Sequence, residues 1–233
     1  MKTLVITGGS RGIGLATARE FAAAGWSVVS VARRACAVAG AHHVAADLSD
    51  PGWAERHGEE VLAAVAGSDT IALVHNAGLL TRDSVASVTQ ATLREVLQVN
   101  LLACVQLDQL LLPRMGPGSA IVYVGSTLGE KVVAGSCAYV VSKHALVGLA
   151  RATAQDLAGR RIHSVCVCPG FTDTGMLRDH VGGEPAVLAA IAAGSTFGRL
   201  VEPEEIARVI LFCATNPSVN GAVIHANLGQ IER

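Results

Sequence analysis

"TLVITGGSRGIG", Thr3–Gly14, sets five apolar or β-branched residues directly before a glycine-punctuated turn, after which helical spacing begins. A strand that ends on such a turn and reopens as a helix is the first unit of a parallel, doubly wound sheet. Gly8, Gly12 and Gly14 remove side chains where the backbone must turn tightly, approach a pyrophosphate and pack a helix against the sheet. Ser10, Arg11 and Ile13 complete the loop, and the free N–H groups and dipole of the helix start favour phosphate. Taken alone, the turn also suits a tight connection that binds nothing; its place after the first strand favours a dinucleotide.

Outward from this unit, short apolar runs suited to buried parallel strands recur at 27–32, 43–46, 71–75, 120–124, 163–168 and 222–226. Helical periodicity fills the gaps at Gly12–Ala24, Trp53–Val65, Thr92–Leu112, Tyr139–Leu157 and Pro203–Ala214, with a further segment near Ala186–Ala193. The connection from Arg34 to Ala41 is too short for a crossover helix and reads as a loop or single turn. The expected fold is α/β: one domain, 1–233, with a doubly wound parallel sheet of about seven strands and helices on both faces.

Composition narrows the function classes. Of the 233 residues 51% are hydrophobic and 16% charged, with net charge −1. Such a chain folds around a substantial core, and with no basic run beyond Arg33-Arg34 it lacks the phosphate-tracking surface of a nucleic-acid binder. The first apolar run yields to glycines after five residues, so it reads as a strand rather than a signal peptide, and no membrane span is expected. The six cysteines, Cys36, Cys104, Cys137, Cys166, Cys168 and Cys213, show no CxxC ligand spacing. They are expected to be reduced, mostly core thiols, with no metal and a cytoplasmic location. Cys166 and Cys168 are read as pointing to opposite faces of their strand, which would keep them from sharing an ion.

At the end of the second strand, where a carboxylate would accept the hydroxyls of an NAD ribose, stands Ala32, followed by Arg33. With Arg11 in the glycine loop, two guanidiniums are expected to converge on a 2′-phosphate, so NADP(H) is expected over NAD(H). The plainer alternative is that Arg33 and Arg34 are merely solvated.

Ser126 follows the "AIVYVGS" strand at the carboxyl edge where such sheets bind ligands, and "AYVVSK" places Tyr139 and Lys143 one helical turn apart. Singly these residues read as a cap, a half-buried aromatic and a solvated lysine. Together with the glycine loop they read as a proton-transfer group. Reducing a ketone by hydride transfer leaves an alkoxide, which needs a proton and hydrogen-bond donors. A free phenol ionises near pH 10 and serves at neutral pH only if a nearby cation favours its anion.

"TGGSRGIG", "HNAG" (75–78), Asn100 in "QVNLL", Ser126, "YVVSK" (139–143) and "PGFTDT" (169–174) together resemble the short-chain dehydrogenase/reductase family, in its compact single-domain branch, from Lys2 to about Gly221. The resemblance implies that Ser126 holds the substrate oxygen, Tyr139 donates the proton, and Lys143 supports the phenol and binds the nicotinamide ribose. It further implies that Asn100 holds a water of a proton relay through an opened helix turn, and that Asp47 and Leu48 contact the adenine. Asn76, Ala77 and Gly78 would line the adenosine side; Pro169, Gly170, Thr172 and Thr174 would cradle the carboxamide and diphosphate. "HANLGQIER" departs from the family's usual acidic residue and two glycines, and His75 replaces a frequent asparagine; the histidine is read as structural.

The expected function is therefore an NADP(H)-dependent oxidoreductase acting on a small carbonyl or alcohol substrate. A non-catalytic NADP(H)-binding sensor or scaffold and an NAD-dependent alcohol dehydrogenase of the same fold are the alternatives. Segment 175–195, punctuated by glycine, is expected to form a mobile lid. Leu128, Val132, Val133, Met176 and Leu177 suggest an apolar wall, while Arg178, Asp179 and His180 are either substrate contacts or exposed rim. The apolar helices at 92–112 and 139–157 suggest a homotetramer, with a dimer as alternative.

Overall fold

The computed structural model describes residues 1–231; Glu232 and Arg233, the end of "HANLGQIER" and of the 1–233 span, lie outside the described residues. Seven strands form one parallel sheet: β1 (Lys2–Thr7), β2 (Ser27–Ala32), β3 (His42–Ala45), β4 (Thr70–His75), β5 (Ala120–Val124), β6 (His163–Pro169) and β7 (Val223–Ala226), in the order β3-β2-β1-β4-β5-β6-β7. The order reverses between β1 and β4, which opens a crevice at their carboxyl ends.

The five inner strands, β1, β2, β4, β5 and β6, are buried on both faces, which is why they read as unbroken apolar runs, while the edge strands β3 and β7 are partly exposed. Leu4, Ile6, Val74 and Val122 meet Phe21 of helix α1 (Gly12–Ala23) and Ile206 and Ile210 of α8 (Pro203–Thr215). Val5, Leu73 and Ile121 meet Trp53 of α2 (Trp53–Ala64), Leu107 of α4 (Ala103–Leu111) and Leu146 of α5 (Cys137–Asp156). Each such side chain, fully withdrawn from water, contributes about 1.5–3 kcal/mol.

Three segments differ from the pattern read in the sequence. The helix expected over 92–112 is α3 (Gln90–Leu97), a π-helical turn at Gln98–Leu102 and then α4. The apolar periodicity runs through all three, and averaged over Gln90–Arg114 it is strong enough for a membrane-spanning helix; yet 44% of the most apolar window is buried inside this domain. α5 starts at Cys137, two residues before Tyr139, because Asp83 Oδ1 accepts the Ala138 N–H at 3.0 Å. The helix expected near 186–193 is α7 (Pro185–Ala192), and it is preceded by one not expected, α6 (Gly175–His180), the two separated at Gly182 and Gly183, whose φ values are +74° and +70°. Residues 34–41 form turns without a helix, as expected.

His75, at the end of β4, is structural in its contacts. Its Nε2 lies 2.8 Å from Asp108 Oδ1 and its ring stacks on Tyr123 at 4.9 Å, while Tyr123 donates its hydroxyl to Asp108 Oδ2 at 2.5 Å. Burial disfavours the imidazolium, but the neighbouring Cys104 and Asp108 outweigh it and raise the His75 pKa to about 10. A histidine whose folded pKa exceeds its ordinary 6.5 contributes stability that is complete below about pH 6.5 and is lost as pH rises through about 10. In thermal melts from pH 6 to 10, the stability advantage of the wild type over His75→Asn is expected to shrink as pH rises; a constant gap would contradict this.

Candidate active site

At the carboxyl edge of the sheet a cavity of about 570 Å³ runs from the glycine loop and the end of β2 to Ser126 and the start of α5. Every residue expected in catalysis or cofactor binding except Asn100 lines it.

The glycine loop is shaped by close approach. Gly8 and Gly12 have φ values of +68° and +52°, and a Cβ on Gly14 would stand 2.3 Å from the Gly8 carbonyl oxygen and 2.4 Å from Asn76 Nδ2. The Asn76 amide donates to the Thr7 and Gly8 carbonyls at 3.0 and 3.1 Å, and the Thr7 hydroxyl accepts the Asn76 and Ala77 N–H groups, both at 3.0 Å. α1 begins with no side-chain cap and no acidic residue in its first turn, so its leading N–H groups suit a phosphate. This combination of bare helix start and side-chain-free loop fits a dinucleotide.

Arg33 and Arg34 line the far end of the cavity and are exposed. Arg11, expected to join Arg33, has its Nη1 3.9 Å from Asp179 of α6. Asp47 accepts the N–H and hydroxyl of Ser49 at 3.0 and 2.8 Å, and the backbone bond chiefly holds its carboxyl below the usual range.

Ser126 caps the short helical turn Thr127–Gly129, accepting the Leu128 N–H at 3.1 Å. Lys143 is buried, donates from Nζ to the Val124 carbonyl at 2.8 Å and lies 5.5 Å from the centre of the Tyr139 ring. The end of β5 thus fixes the ammonium beside the phenol.

Asn100 sits in the π turn, behind the cavity wall. Its Oδ1 accepts the Leu79 N–H at 2.7 Å, and its Nδ2 donates to the Leu79 carbonyl and the Ser142 hydroxyl at 3.0 and 2.9 Å. The side chain therefore braces the "HNAG" loop against α5. The Asn100 carbonyl accepts the Cys104 thiol at 3.6 Å.

In "PGFTDT", Thr174 caps α6 and its methyl group would stand 3.2 Å from a Cβ on Gly12, while Thr172 donates to the Gly170 carbonyl at 3.0 Å. Gly170 is required by Asn227, whose Cβ and Cα would lie 2.7 and 2.8 Å from an added Cβ. The same tail accepts Thr196: its hydroxyl donates to the Leu228 carbonyl at 2.9 Å and its N–H to that of Gly229 at 3.0 Å.

One expectation is overturned. Cys166 and Cys168, two residues apart on β6, share a face because strand side chains alternate with period two; their Sγ atoms are 3.7 Å apart. Both crowd Gly125, where an added Cβ would meet them at 2.8 and 2.9 Å. Among the described residues no cluster of three or more metal-ligating side chains occurs.

Of the suggested apolar wall, Leu128, Val133, Met176 and Leu177 line the cavity and Val132 does not. His180 lines it too, whereas Arg178 forms a two-pronged pair with Asp173, both contacts 2.7 Å. Leu79, Leu80, Phe171 and Ile191 are wall residues that sequence reasoning missed, although Leu79 directly follows "HNAG" and Phe171 lies inside "PGFTDT".

A doubly wound sheet with a dinucleotide loop at its switch point, and serine, tyrosine and lysine beside it, defines a nicotinamide-dependent oxidoreductase. The chain belongs to the short-chain dehydrogenase/reductase family, whose members act on CH–OH and C=O groups. Residues 8–230 match the family model described as enoyl-(acyl carrier protein) reductase. The chain is 36% identical to protein FixR of Bradyrhizobium diazoefficiens, over 98% of this chain and 86% of that one. It is 33% identical to carbonyl reductase family member 4 of Xenopus tropicalis, over 96% and 95%. The solved structure of a blue fluorescent protein from a metagenomic library in complex with NADPH superposes with a TM-score of 0.85 at 29% identity, covering 97% of each chain.

Gly14→Ala drives a methyl group into the Gly8 carbonyl and the Asn76 amide, so it is expected to lower stability by about 1–3 kcal/mol and to abolish binding of a reduced nicotinamide dinucleotide, as read by denaturant melts and nucleotide fluorescence.

Proposed function

We propose that the chain is an NADP(H)-dependent carbonyl reductase, reversible as an alcohol dehydrogenase. The observation that carries this reading is that Ser126, Tyr139 and Lys143 line one cavity with the glycine loop, with the Lys143 ammonium 5.5 Å from the Tyr139 ring centre. A protein that only bound a nucleotide would have no use for a proton donor and a buried cation at that place.

The residues divide the work. The glycine loop from Gly8 to Gly14 and the start of α1 hold the diphosphate, and Asp47 and Leu48 flank the adenine. Asn76, Ala77 and Gly78 line the adenosine side, and Pro169, Gly170, Thr172 and Thr174 bind the nicotinamide end. Bound nicotinamide supplies or accepts the hydride. Ser126 donates a hydrogen bond to the substrate oxygen, and Tyr139 gives its phenolic proton to that oxygen as negative charge develops. Lys143 favours the resulting phenolate by charge and binds the nicotinamide ribose. The Asn100 carbonyl, in the π turn, anchors the water that returns a proton to Tyr139 from solvent.

NADP(H) is favoured over NAD(H) because β2 ends at Ala32, with no carboxylate there, and is followed by Arg33 at the cavity end. Similar solved structures carry NADPH and NADP, respectively. Segment 175–195 acts as the lid, its α6 tied to the glycine loop through Arg11 and Asp179. The exposed Leu102 and Val141 on the α4 and α5 side, and Phe212 on α8, support a homotetramer. A cytoplasmic location accords with six free cysteines.

Tyr139→Phe is expected to lower kcat about 10²–10⁴-fold in NADPH-linked carbonyl reduction while leaving NADPH affinity within a few-fold; unchanged turnover would exclude the proposed proton donor. NADPH is expected to bind at least about tenfold more tightly than NADH, and Arg33→Asp to reverse the order; tighter NADH binding by the wild type would overturn the cofactor assignment. A monomer in light scattering at micromolar concentration would do the same for the tetramer.

A further inference from the structure

The substrate half of the cavity differs from the cofactor half in one respect, the placing of charge. Its walls around Ser126 and Tyr139 come from the loop after β4, the loop before α5 and the 175–195 segment, with Leu80, Leu128, Val133, Met176, Val181 and Ile191 among them. Three arginines line the cavity, Arg11, Arg33 and Arg34, and all three belong to the glycine loop or the end of β2. Lys143, the remaining cation of the wall, is committed to the Val124 carbonyl and stands beside Tyr139.

Lys131, between Leu128 and Val133, does not line the cavity, and two further cations near the substrate walls in sequence are engaged elsewhere. Arg178 of α6 is held by Asp173 in a bidentate pair and does not line the cavity. Arg82 donates to the His180 carbonyl oxygen and is likewise outside the cavity wall. Of the titratable side chains of segment 175–195, the one that lines the cavity is His180, which burial and then Arg82 keep toward its neutral form. The lid reaches deep: a Cβ on Gly78 would lie 3.9 Å from Met176 Cε and 4.0 Å from Lys143 Nζ. A thioether methyl, polarizable and adaptable in shape, therefore stands next to the reacting groups where a polar substrate would need a partner.

Resting on the carbonyl-reductase reading, we propose that the substrate is an uncharged carbonyl compound with an apolar body, and that the wall containing Val133 and Met176 discriminates against carboxylates of the same shape. A carboxylate carried into this half would lose its hydration with no counter-ion to meet it.

A matched pair tests this: 2-octanone and 7-oxooctanoate, which share a ketone and chain length and differ in a terminal methyl against a carboxylate, with methyl 7-oxooctanoate as a neutral control. NADPH oxidation is expected to give a kcat/KM for the ketone and the ester about 100-fold or more above that for the acid. Binding is read separately, as the shift in melting temperature of the NADP⁺-loaded protein with each ketone: the neutral compounds are expected to raise it and the acid to leave it unmoved. Val133→Lys is expected to narrow the ketone-to-acid ratio by at least about tenfold by supplying the missing counter-ion. Equal responses to ketone and acid, a preference for the acid, or no binding of any neutral compound would overturn the substrate class. Failure of the reductase reading has a different signature, in which binding discriminates as described but no probe oxidises NADPH.

Discussion

The ends of β1 and β4 are tied by two side chains, and the rest of the site depends on that tie. Thr7 takes two N–H groups of the β4 exit on its hydroxyl, and Asn76 gives its amide to two carbonyls of the β1 exit. Neither contact is possible unless the chain beyond Thr7 lies close to Asn76, and only a bare Cα at Gly14 leaves room for both the amide and the Gly8 carbonyl. The crevice that the sheet order opens between these strands is thereby given fixed walls. The helix start on one side and the "HNAG" loop on the other face each other across it.

The reactive groups are referred to the same frame. β5 lies beside β4, its Val124 carbonyl holds the Lys143 ammonium, and its exit presents Ser126. Asn100 fastens the "HNAG" loop to Ser142, one residue before that lysine. Asp83 caps the helix that carries Tyr139, and such a cap is worth about 1 kcal/mol. Position at the reacting centre therefore comes from short polar ties between strand ends and one helix, while the apolar core beneath supplies rigidity.

Much of this was legible in the sequence because it is local. The strand-turn-helix opening, the alternation of apolar runs with helical spacing, and the four-residue interval from Tyr139 to Lys143 each carry their geometry within a few residues. What escaped is what links distant residues or leaves composition unchanged. The π turn adds one residue to a helical turn without altering the apolar pattern, so Thr92–Leu112 reads as one helix. The cap of α5 comes from Asp83, far upstream, and the demand for glycine at 170 is set by Asn227. The pairing of Cys166 with Cys168 is legible too, since residues two apart on a strand share a face.

The tail that departs from the family pattern holds two things at once. Asn227 presses on Gly170, while Leu228 and Gly229, with φ values of +54° and +63°, accept the hydroxyl and the N–H of Thr196 just beyond α7. The 175–195 segment is therefore not a self-contained cassette. Its downstream end is rooted in residues that also shape the bed beneath "PGFTDT". A chimera that imports this segment from a relative must import the 227–229 turn with it, because a foreign tail would leave the cover unrooted and the bed misshapen together.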